Sequence, residues 1–83
     1  MRNENNNTKL FIEAPKFNGK NVSVAEASKA LGKDQQFIRQ GIARGILPIG
    51  SAFKREGSSQ YDIYISPFLL WQFSGYIAEG SVD

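Results

Sequence analysis

Past Asp34 and up to Arg44, the polar side chains are amides and guanidiniums with no carboxylate among them. If this stretch is helical, Gln36, Arg39, Gln40 and Ala43 share one face, and Gln35 and Arg44 flank it. A Gln carboxamide can pair bidentately with adenine. An Arg guanidinium can grip guanine or a phosphate, and Ala permits close approach or contact with a thymine methyl. Residues of these types at this spacing have the chemistry of a surface that reads base edges in a major groove. A plain solvated helix face would use the same types, so the surrounding elements must decide between the two.

Charge is distributed unevenly. The whole chain carries a net charge of only +2, too small to demand a polyanionic partner. From Ala27 to Arg55, however, Lys29, Lys33, Arg39, Arg44, Lys54 and Arg55 face a single anion, Asp34. Lys33 would add to phosphate attraction beside the candidate face. Lys54 and Arg55 could reach the backbone or the minor groove from a neighbouring element, and two charges at an exposed turn would look the same.

Other chemistry is hard to assemble. The 83 residues include neither Cys nor His, which removes thiolate and imidazole ligands and the usual neutral-pH base. No metal, cofactor or small-molecule ligand is expected, and no enzymatic activity. Gly50–Ser59 lacks the phosphate-loop spacing, and the serines have no His partner. Tyr61 and Tyr64 have no basic cluster to make either a nucleophile and are read as packing residues. Asn21-Val22-Ser23 spells a glycosylation site that would have no role inside a cell. With no charged and apolar leader and no apolar run of membrane-spanning length, the expected location is cytoplasmic, with no membrane partner.

The elements that would hold these residues are well punctuated. Residues 1–20 are read as a disordered or loosely ordered N-terminal arm, because the Asn-rich opening offers almost nothing to bury. Leu10-Phe11-Ile12 and Phe17 could lie on the domain. Ser23 and Glu26 form a capping box, Val24, Ala27 and Leu31 make one apolar stripe, and Gly32 stops the helix. Asp34 caps a second helix at once, in which Phe37, Ile38, Gly41 and Ile42 are assigned to the core. Two short helices so closely joined are a helix-turn-helix. Gly45 ends the second helix, and Ile46–Ile49 is read as extended.

Two strand-like runs, Ile49–Lys54 and Gln60–Ile65, then flank a turn at Arg55–Ser59. In the second run Tyr61, Ile63 and Ile65 form the packing side, alternating with Asp62 and Tyr64. Ser66 and Pro67 open a last helix, apolar around most of its circumference at Phe68, Leu69, Leu70, Trp71 and Phe73. The expected fold is α+β: a small winged helix-turn-helix over 21–77 (two-helix unit, β-hairpin wing, C-terminal helix), with 78–83 as a tail.

In residues 22–50, VSVAEASKALGKDQQFIRQGIARGILPIG, an N-capped helix with Glu26-Ala27 is followed by Leu31-Gly32, then by a helix with the Ile38-Arg39 step, then by Gly45-Ile46-Leu47-Pro48. The order and spacing resemble the opening of MerR-like and excisionase-like winged-helix families. The chain is most similar to the short excisionase-type proteins of phages and conjugative transposons, and YDIYISPFLLWQFSG would supply the second wing strand and closing helix. The resemblance spans 22–75. It implies that Arg39 holds the DNA-contacting position of the recognition helix and that Lys54 and Arg55 lie in the wing. The families commonly carry a small hydroxyl residue where this chain has Phe37. The long dimerisation helix and effector half of MerR regulators have no counterpart.

The resemblance thus implies a sequence-specific binder of double-stranded DNA that serves as an accessory recombination factor beside an integrase. A small phage or host transcriptional regulator would present the same site. In a third reading the apolar closing helix is the working surface of a protein-interaction module. An integrase and a second copy of the chain, met through that helix, are the candidate protein partners.

Overall fold

The computed structural model describes residues 15–78. Within them the chain runs α1 (Val24–Leu31), α2 (Gln35–Ala43), β1 (Gly50–Lys54), β2 (Tyr61–Ile65) and α3 (Pro67–Ser74), a small α+β arrangement of three helices and one antiparallel hairpin.

Local capping sets the helix ends. Ser23 has extended backbone and its Oγ accepts the Glu26 N–H at 3.0 Å, while Gly32 closes α1 at φ +67°. Two residues later Asp34 Oδ1 accepts the Phe37 N–H at 2.8 Å and starts α2. Ser66 Oγ accepts the Leu69 N–H at 3.1 Å, with Pro67 in the first turn of α3. Each helix therefore satisfies one of its orphan N–H groups with a side chain adjacent in sequence.

The core gathers one residue or two from each helix and from β2, namely Ala27, Ile38, Ile42, Ile65 and Leu70, with Val22, Leu47, Ile49 and Ala78 from the segments between and beside them. Ala27 is fully buried on α1, a helix that packs chiefly against α2. Asn21 and Val22 bind the far edge of β2, where Val22 N–H donates to the Ile65 carbonyl at 2.9 Å and Ile65 N–H donates to Asn21 Oδ1 at 2.8 Å. Ala78, the first residue of the expected tail, is part of this core.

Two local expectations need correction. Phe37, assigned to the core, is 45% exposed, with the Lys33 ammonium 5.3 Å from its ring centroid. The buried stripe of this nine-residue helix is filled by Ile38, Gly41 and Ile42, and Phe37 lies a step off it, at the margin. The second correction concerns Ile46–Ile49, which bends instead of extending. The N–H groups of Ile46 and Leu47 both donate to the Gly41 carbonyl at 3.0 Å, and Ile49 N–H donates across Pro48 to Leu47 at 2.8 Å. This bend satisfies a carbonyl in the last turn of α2 and lays Leu47 on Gly41.

The hairpin pairs Gly50 with Ile65, Ala52 with Ile63 and Lys54 with Tyr61 on one face, and Ser51 with Tyr64 and Phe53 with Asp62 on the other. The first face turns toward α2 and the core. Tyr61 belongs to that face but lies beyond the end of the core, and is 45% exposed.

The N-terminal segment is described from Pro15 onward and lies on the domain. Phe17 packs against Phe68 and Trp71 of α3 with ring centroids 5.8 Å away in each case, and the Tyr64 hydroxyl donates to the Gly19 carbonyl at 2.7 Å. Leu10-Phe11-Ile12 falls outside the described residues. On α3, Leu70 is buried, Leu69 and Trp71 are partly covered, and Phe68 and Phe73 remain exposed.

Candidate nucleic-acid interface

A cleft of about 440 Å³ lies between α2 and the hairpin. Gln36, Arg39, Gln40 and Ala43 form its helical wall, one side chain per step of the exposed face. They point outward because Ile38, Gly41 and Ile42 hold the opposite stripe in the core. Ser59, Gln60, Tyr61 and Ile63 form the other wall. No carboxylate lines the cleft. Among the described residues, the side chains of Gln36, Arg39, Gln40, Ser59, Gln60 and Tyr61 are tied down by no hydrogen bond or ion pair, so their donors and acceptors are available to a ligand.

Four of the nine residues singled out from the sequence thus line one surface. Gln35 is exposed at the start of α2 and does not line the cleft. Lys33 stands over Phe37. Arg44 borders a separate, more apolar depression with Phe37, Gln40, Gly41, Ile46 and Leu47.

The two hairpin cations part company. Lys54 is paired in register with Tyr61 and leaves the ribbon on the cleft side. The Arg55 guanidinium reaches Asp62 at 3.5 Å, and Asp62 belongs to the opposite face. That pair is well exposed and contributes little to stability, but it sets a carboxylate on the outer face of the hairpin.

Ser59, Gln60 and Tyr61 are not among the site residues expected from the sequence. The alternation of Tyr61 with Asp62 signalled which residues share a face. Nothing in the local pattern told that this face continues past the core and stands across from α2.

No helix among the described residues is long and apolar enough to cross a membrane. Nor do those residues gather three or more His, Cys, Asp or Glu side chains that could hold a metal ion. Comparison of the chain with protein-family models, curated proteins and solved structures finds no match.

Proposed function

We propose that the chain is a winged helix-turn-helix protein that binds double-stranded DNA with α2 in the major groove and the hairpin as its wing. The observation that carries this reading is the carboxylate-free cleft, in which Gln36, Arg39 and Gln40 stand unengaged beside a second wall of uncharged donors. An α-helix of ordinary diameter fills a B-DNA major groove, and these three side chains have the lengths and donor patterns that read purine edges. Within that reading, and on the strength of the resemblance of residues 22–75 to excisionase-type proteins, the chain acts as an accessory factor that directs an integrase.

Titration of labelled duplex with the protein at several salt concentrations tests the first step. Binding should weaken steeply as salt rises, since phosphate contacts release condensed counterions. Binding that ignores salt, or no binding at all, would remove the DNA reading. The second step is tested by adding the chain to an integrase-catalysed excision reaction on a junction that carries its selected site. Excision that proceeds equally with and without the chain would leave a DNA binder with a different task, such as operator binding.

A further inference from the structure

The hairpin wall of the cleft has an unusual make-up for a surface facing DNA: its polar groups are a hydroxyl, a carboxamide and a phenol, at Ser59, Gln60 and Tyr61. One of the two cations nearby, Arg55, is turned to the other face and tied to Asp62. The major groove is about 12 Å wide, and a helix with its side chains occupies about 10–12 Å. With α2 in the groove there is no room for a second element beside it. Whatever stands across the cleft from α2 must therefore rest on the sugar-phosphate strand that borders the groove.

We infer that the cleft seats one strand's phosphodiester backbone, held from the hairpin side by the uncharged donors of Gln60 and Tyr61, with Ser59 beside them, while α2 reads the bases. This rests on the DNA-binding reading and adds to it which residues grip the backbone and by what kind of bond. Asp62 and Arg55 neutralise each other on the outer hairpin face, so that face offers a strand no net positive charge to hold it.

Uncharged donors and cations leave different signatures. A cation at a phosphate displaces counterions, so its removal makes the salt dependence shallower. A hydroxyl or carboxamide that donates to a phosphate adds affinity with no such term. Tyr61→Phe is a clean probe, since the phenol oxygen has no partner among the described residues and the ring is retained.

The experiment takes a duplex selected from a random pool by the wild-type chain and measures affinity against salt for the wild type and for Tyr61→Phe, Gln60→Ala, Lys54→Ala and Arg55→Ala, with unfolding curves for each. Tyr61→Phe and Gln60→Ala should each weaken binding roughly tenfold with the salt slope and melting temperature unchanged. Lys54→Ala should make the slope shallower by about one, and Arg55→Ala should change it less than Lys54→Ala does. Replacing single phosphates by neutral methylphosphonates should reveal one position at which wild type and Tyr61→Phe bind equally.

Wild-type affinity in both Tyr61→Phe and Gln60→Ala, with binding still lost in Arg39→Ala, would overturn the inference and leave the DNA reading standing. So would a Tyr61→Phe loss that persists at every methylphosphonate position. If the wild type shows no salt-dependent binding to any duplex in the pool, the reading beneath the inference falls and takes it along.

Discussion

Three glycines set different demands, and their substitutions should separate accordingly. At Gly32 and Gly45 the φ values are +67° and +73°, and a Cβ would meet nothing within 4 Å, so the cost of Ala is backbone strain alone. Gly32→Ala and Gly45→Ala should each lose about 1 kcal/mol in denaturant unfolding. Gly50 has room for nothing, since a Cβ there would lie 1.9 Å from the Tyr64 carbonyl oxygen on the paired strand. That oxygen is backbone and cannot move without opening the hairpin. Gly50→Ala should therefore cost more than either of the others, and an equal loss in all three would show that β1 shifts freely. Phe37 and Ile38 make a similar contrast. Ile38→Ala removes a fully buried side chain and should cost roughly 2–5 kcal/mol, whereas Phe37→Ala, at half-exposed Phe37, should fall well below that range.

At the scale of elements, what could be read in the sequence was what is decided locally. Ser23, Asp34 and Ser66 each cap a helix within three residues of themselves, and Gly32 and Gly45 turn the chain just past helix ends, so these boundaries needed no knowledge of the rest. The helical face of Gln36, Arg39, Gln40 and Ala43 followed from period alone. The margin of the core at Phe37 did not, because whether a flanking aromatic is covered depends on what packs over it, and here Leu47 bends onto Gly41 instead. The hairpin half of the cleft was hidden for the same reason: Ser59–Tyr61 acquire a role only through the way the ribbon stands against α2. Within α2 the expected division of labour is testable. Arg39→Ala should cost roughly 1–3 kcal/mol on the selected site and much less on random duplex. Equal losses on both would make Arg39 a phosphate contact and not a base reader. Gln36→Ala should follow Arg39 in discriminating between the two duplexes.

For the whole molecule, the face of α3 is the surface that neither the core nor the proposed DNA contact uses. Phe17 packs on Phe68 and Trp71, whose rings lie 5.9 Å apart, whereas Phe73, well round the helix from them, is 51% exposed, and Ile77, past the end of α3, is 50% exposed. Neither Phe73 nor Ile77 lines the cleft, so a contact made here would leave the cleft free. An apolar side chain left exposed on a small domain can mark a contact, and for a DNA binder we propose that Phe73 meets a second copy bound at an adjoining site. Phe73→Glu tests this with little risk to the fold, because half of the side chain is already in water. In the free protein the new carboxylate can stay hydrated; at an interface it would be stripped of water without a partner. Cooperative binding to tandem sites should therefore vanish while single-site affinity and melting temperature hold. Cooperativity that survives Phe73→Glu would place the contact elsewhere. Loss of single-site binding along with it would mean that the α3 face supports the fold and not an assembly.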